Sequence, residues 1–148
     1  MSRRILRGFN PAALEQARKE RRLSRAELGR LAEVSTTAVL YWETGRSVPQ
    51  VDTLTRVVRV LEIPVEQVVN IEPNERYLGD LRVVAGLTQP QLAASIGIST
   101  TSLATLERGQ SRLKETVATR LAKALDTSVQ DVTDAYERTR TRPPHTSP

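Results

Sequence analysis

Residues 14–68 align with residues 78–132 at a constant offset of 64, without a gap, and 15 of the 55 paired positions are identical. A repeat on this scale constrains the fold more than any bulk property, because each copy must be a supersecondary unit that closes its own small core. The identities do not scatter. They include Arg18/Arg82, Leu23/Leu87, Leu28/Leu92, Ser35/Ser99, Thr36/Thr100, Thr37/Thr101, Glu43/Glu107, Gly45/Gly109 and Leu61/Leu125, positions that start, stop or orient helices. A chain of 148 residues is therefore read as two very small domains rather than one ordinary one.

Composition fits that division. Apolar residues make up 39% and aromatic residues 3%, enough for small helical cores and too little for a sandwich, a barrel or a large enzyme core. With no cysteine and a single histidine, His145, disulfides, thiolate metal sites and histidine acid–base chemistry drop out, so neither a metal nor a cofactor is expected. The carboxylates stand beside arginines at helix ends, with no paired acid–base set, phosphate-cradling glycine loop or nucleophile elbow, which argues against an enzyme. The net charge is +5, and of 22 cations only Lys19, Lys114 and Lys123 are lysines. Guanidinium groups fork phosphate and guanine edges, so the balance favours a polyanionic partner. Residues 1–9 are basic without a following apolar stretch, and no run approaches the 18 apolar residues of a membrane span; a soluble, cytoplasmic protein is expected.

Local punctuation predicts five short helices per copy. Asn10 before Pro11 caps a helix to about Arg22. Ser24-Arg25-Ala26-Glu27 is a capping box, repeated as Thr88-Gln89-Pro90-Gln91 with proline expected at the first helical position, and each opens a helix of about eight residues. That helix carries Leu28 and Leu31 in one copy, Leu92 and Ile96 in the other. After a three-residue step, Ser35 or Ser99 caps a third helix that ends at Gly45 or Gly109. On it Val39 and Trp42, or Leu103 and Leu106, face inward. Thr36, Thr37, Leu40, Tyr41 and Thr44 point away, as do Thr100, Thr101, Ala104, Thr105 and Arg108. A fourth helix runs over about 51–61 or 114–125, and a fifth begins near Pro64 or behind Ser128. Residues 70–74 read as a linker with Asn74 as a helix cap. The segment from about Arg138 lacks apolar residues and reads as a disordered tail.

These residues resemble, twice over, the Cro/C1-type or xenobiotic-response-element family of bacterial and phage helix-turn-helix regulators. The second copy carries the pattern in Ala85-Gly86-Leu87-Thr88-Gln89, Leu92-Ala93, Gly97-Ile98-Ser99 and Leu106-Glu107-Arg108-Gly109. The first departs from it at Arg21-Arg22, Arg25-Ala26 and Trp42-Glu43-Thr44-Gly45. The resemblance implies an all-α fold: two tandem five-helix, lambda-repressor-like domains over 9–69 and 75–137, a linker at 70–74 and a disordered tail at 138–148.

It also implies that the third helix enters a major groove, with base contacts from Ser35, Thr36, Thr37 and Tyr41 and from Ser99, Thr100, Thr101 and Thr105. Threonine suits that role, since its hydroxyl donates or accepts and its methyl can meet a thymine methyl. On an isolated helix such a face would simply be solvated; its duplication inside two matched frames favours DNA contact. Expected phosphate contacts are Arg22, Arg25, Thr44 and Arg46 in the first copy and Gln89, Arg108, Gln110, Arg112 and Lys114 in the second. The family places Arg18 with Glu43, and Arg82 with Glu107, in partly buried ion pairs of structural role, and Trp42 reads as core.

The expected function is sequence-specific binding of double-stranded DNA by a transcriptional regulator, a repressor associated with the nucleoid, reading a bipartite site with helices 36–44 and 100–108. The alternative is a protein-interaction adaptor or antitoxin-like partner-binding protein in which only one copy contacts DNA. Leu78, Leu81, Val83 and Val84 supply more apolar surface than one inward stripe needs, so some of them could face the first copy or a partner; a homodimer or another protein partner is left open.

Overall fold

The computed structural model describes residues 6–144, and these divide into a first unit ending at Asn70 and a second beginning at Ile71. Among the described residues there are nine α-helices and no strand, only an isolated antiparallel bridge between Phe9 and Val69. No helix is long and apolar enough to cross a membrane.

The first unit holds α1 (Pro11–Glu20), α2 (Arg25–Ala32), α3 (Thr36–Glu43) and α4 (Val51–Leu61). Their starts are local chemistry. Asn10 Oδ1 accepts from the Ala13 N–H at 3.1 Å with Pro11 behind it, which satisfies one of the orphan donors of the first turn. At α2 the capping box closes in both directions: Ser24 Oγ accepts from Glu27 N at 3.0 Å, and Glu27 Oε1 accepts from Ser24 N at 2.9 Å. The Ser24 bonds hold the Glu27 carboxyl below its ordinary pKa. The core gathers the inward faces of these helices on Leu14, Leu28, Val39, Leu54, Val57 and Leu61, each essentially inaccessible.

The second unit repeats this as α5 (Leu78–Val84), α6 (Gln89–Ile96), α7 (Thr100–Glu107) and α8 (Glu115–Ala124), then adds α9 (Val129–Thr141). Its core is Leu78, Leu92, Ile96, Leu103, Leu106, Leu121 and Val132. The Thr88/Gln91 box is present, but Pro90 occupies the second helical position rather than the first, because Thr88 is the cap and Gln89 follows it.

Four helix endings match at the 64-residue offset. Arg22 and Gly86, Glu33 and Gly97, Gly45 and Gly109, and Glu62 and Asp126 all have left-handed backbones, with φ between 53° and 77°. This reversal is why α1 stops at Glu20, short of the expected Arg22. A side chain in that region costs about 1–2 kcal/mol, partly offset by the entropy glycine loses on folding. Glu33→Gly and Arg22→Gly, which install what the second unit already has, are each expected to stabilise the first unit by about 0.5–1 kcal/mol in urea unfolding. A loss of stability would mean the acidic or basic side chain is itself holding the turn.

Three further expectations fail, each for a non-local reason. The fifth helix of the first unit is a single 3₁₀ turn, Val65–Gln67, because the following residues pair with the chain's beginning: Asn10 N donates to Val68 O and Asn70 N to Gly8 O, both at 2.8 Å. Asn74 lies in a 3₁₀ turn, Pro73–Glu75, and does not cap α5; Tyr77 precedes that helix and donates its N–H to Asp80 Oδ2 at 2.8 Å. The supposed tail is helical to Thr141. Thr139 is 1% exposed, its hydroxyl donating to Ala135 O and accepting from the Leu78 N–H at 2.9 Å, so it satisfies the first turn of α5 from 61 residues away. Arg138 is likewise engaged, with the carbonyls of Arg76 and Pro73. His145 and residues 146–148 lie outside the described residues.

Candidate nucleic-acid interface

In each unit one arginine fixes the third helix against the first. Arg18, in α1, sends Nε to Glu43 Oε2 at 2.6 Å, Nη2 to Glu43 Oε1 at 2.9 Å and Nη1 to Leu23 O at 2.8 Å. Arg82 repeats this on Glu107 at 2.8 and 3.1 Å and on Leu87 O at 2.9 Å. Both carboxylate side chains are at most 1% exposed. The planar fork meets a carboxylate at the foot of the third helix and a carbonyl in the turn before the second, so three elements are locked together. Hydrogen bonding to Glu43 holds Arg18 above its ordinary pKa. A second identical pair completes the frame: Arg56 Nε donates to Ala32 O at 3.0 Å and Arg120 Nη1 to Ile96 O at 3.3 Å, each closing the end of its unit's second helix. Sequence reasoning missed it although both arginines are among the 15 identities.

The approach of α2 to α3 differs between copies. Gly29 has no room for a side chain, since an added Cβ would lie 2.6 Å from Val34 O, whereas the matching residue of the second unit is the buried Ala93.

On the rigid frame stands the outward face. Thr36, Thr37 and Tyr41 of α3 and Thr100 and Thr101 of α7 are exposed; Leu40, Ala104 and Thr105 are half-buried. Among the described residues, no group hydrogen-bonds the hydroxyls of Thr36, Thr37, Thr100 or Thr101, so all four can still donate and accept. Ser35 and Ser99 are caps first: Ser35 Oγ accepts from Ala38 N and Ser99 Oγ from Ser102 N, both at 3.0 Å. Ser99 also donates its proton to Ser102 Oγ, while Ser35 keeps its own. The Thr105 hydroxyl donates back to Thr101 O at 2.8 Å and has only acceptor capacity left for a ligand. Opposite it in the repeat, Tyr41 carries the Arg46 guanidinium over its ring at 4.8 Å, a cation–π contact that orders both side chains.

The expected phosphate-contacting residues fall into two groups. Arg46, Arg108, Gln110, Arg112 and Lys114 are exposed around the ends of α3 and α7, with Arg108 Nε on Gln110 Oε1 at 3.0 Å. Thr44 is also exposed, but its hydroxyl donates to Leu40 O. Arg22 is exposed in its left-handed turn. Arg25 and Gln89 are drawn inward instead: Arg25 Nε donates to Glu43 Oε1 at 2.9 Å and Gln89 Nε2 to Glu107 Oε1 at 3.0 Å. Each is a third member of the buried cluster. Arg25 stays 37% exposed, which leaves its remaining donors within reach of an anion.

Comparison with protein families agrees with this architecture. A helix-turn-helix model matches residues 14–68, and a helix-turn-helix domain model matches residues 76–135, together most of the chain. No match was found among curated proteins. The chain belongs to the helix-turn-helix family, of Cro/C1 type, with two tandem DNA-binding domains.

Proposed function

We propose that this protein is a sequence-specific double-stranded DNA-binding transcriptional regulator that represses by occluding a promoter on the nucleoid, acting by binding and not by catalysis. The observation that carries the reading is the matched pair of outward faces on α3 and α7, each with free threonine hydroxyls at the helix start and each held by a buried arginine–glutamate fork. A rigid helix with unsatisfied donors and acceptors at its N-terminal end suits a groove whose base edges present both. One chain carries two such helices, so one molecule engages a bipartite site. Recognition helices on one face of B-DNA sit about 34 Å apart, and the tether raises the effective concentration of the second domain to roughly the millimolar range.

Selection from random duplex DNA is expected to recover two half-sites that are alike where Ser-Thr-Thr is shared and different where Tyr41 and Arg46 stand opposite Thr105 and Gln110. Thr37→Ala with Tyr41→Ala should relax one half-site, and Thr101→Ala with Thr105→Ala the other, each by about tenfold or more in discrimination. If the first pair abolishes readout of the whole site and the second changes nothing, the second unit is a partner-docking module and the adaptor reading replaces this one.

A further inference from the structure

We infer that the last turn of α9 and the loop after α7 form a phosphate-binding ridge that the first unit lacks, making the second unit the electrostatic anchor of the protein on duplex DNA. This rests on the DNA-binding reading above. With eight residues, α7 is about 12 Å long, close to the width of a major groove, so when its first turn faces the bases its far end stands at the groove edge, where the strand's phosphates run.

In the second unit that end is built up. A Cβ placed on Gly109 would meet Arg140 Cα at 3.0 Å and Thr139 C at 3.4 Å, so the absence of a side chain there lets α9 lie on the loop. Arg142 Nη2 donates to Arg108 O at 3.3 Å and its guanidinium lies 5.9 Å from the Tyr77 ring centre, which orders the end of the helix against the loop. The loop itself supplies Arg108, Arg112 and Lys114, the last turn of α9 adds the exposed Arg140, and the residue that ends the helix adds the half-buried Arg142. Against these cations stands Glu137, paired with Arg140 in an ion pair more than half exposed on both sides. Such a pair is weak and yields readily to a phosphate.

The first unit has none of this. At Gly45 nothing lies within 4 Å of an added Cβ, and the positions matching Arg108, Arg112 and Lys114 are Thr44, Val48 and Gln50, with Arg46 the cation of that loop. Two copies that share a base-reading frame thus differ in charge at its edge. The second holds the backbone, and the first, with its ordered Tyr41–Arg46 pair, discriminates more.

The test uses the full chain and a duplex recovered by selection, titrated between 50 and 200 mM salt. Arg140→Gln with Arg142→Gln is expected to make the dependence of log affinity on log salt shallower by about 0.9–1.8, one full contact at about 0.9 for Arg140 and part of another for Arg142, whose guanidinium also holds the carbonyls of Arg108 and Thr139, while the ranking of duplex sequences stays as in the parent. Arg140→Lys with Arg142→Lys restores the slope, since each lysine still replaces a condensed counterion. Glu137→Gln, a change on an exposed side chain that leaves folding alone, raises affinity about threefold by releasing Arg140. An unchanged slope in a glutamine variant that melts like the parent, an altered sequence ranking, or a Glu137→Gln protein that binds no tighter each overturns the inference. A parent that binds no duplex at low salt overturns the DNA-binding reading itself and the ridge with it, a result visible before any variant is made.

Discussion

Glu107→Ala lowers the stability of the second unit by about 3–5 kcal/mol, because it strands a guanidinium in the interior. Arg82 loses both of its carboxylate bonds and keeps the Leu87 carbonyl, with its side chain 7% exposed, and Gln89 loses the acceptor it shares. For a domain of this size each kcal/mol moves the midpoint by about 4–8 °C, so the melting temperature falls by roughly 12–40 °C. Replacing both partners by leucine costs far less than removing one, since no charge is left behind. The single tryptophan separates the units: Trp42 is buried in the first, so Glu107→Ala leaves its fluorescence transition in place while part of the helical circular dichroism melts early. Glu43→Ala does the reverse and moves the Trp42 transition. A Glu107→Ala protein that melts like the parent but prefers different DNA would make the glutamate a reading residue and not a structural one.

Affinity for duplex DNA is expected to fall about a thousandfold or more between 50 and 200 mM salt. Six phosphate contacts, each releasing about 0.9 of a counterion, give that loss over a fourfold rise in salt. The exposed cations in the turn after α1, around the loops after α3 and α7 and at the end of α9 are numerous enough for such a footprint: Arg22, Arg46, Arg108, Arg112, Lys114 and Arg140. Arg25 has to share its guanidinium with Glu43, so its substitution by glutamine should change the slope by less than one contact. A flat salt response would mean that recognition is not built on the phosphate backbone and would favour a protein partner.

What the sequence displayed was chiefly what is local. Capping boxes at Ser24 and Thr88, serine caps at Ser35 and Ser99, and glycine endings at Gly45 and Gly109 each depend on a few neighbouring residues, and all are found in place. The buried forks were legible because family resemblance and a duplicated spacing of 25 residues both pointed to them. Features set by distant partners were not. Residues 65–70 carry valines that suit either a helix or an extended pairing, and the choice is made by residues 8–10. Thr139 looks like a solvated tail residue until the free N–H of Leu78 is placed beside it. Arg25 and Gln89 look like surface side chains because nothing local announces a carboxylate 18 residues away. Arg22 and Glu33 conceal left-handed turns that glycine would have advertised.

Each unit is sealed by joining its own two ends, through the Phe9–Val69 bridge in one case and the bond from the Leu78 N–H to Thr139 in the other. During synthesis the two seals close at different times. The first becomes available once residue 70 has emerged, so the leading domain can fold while the trailing one is still being made. The second waits for residue 139, because the Leu78 N–H at the start of α5 has no acceptor until Thr139 in the last turn of α9 exists. A message cut short just before codon 139 would therefore release a protein whose leading domain is sealed and whose trailing one is left open at the Leu78 N–H.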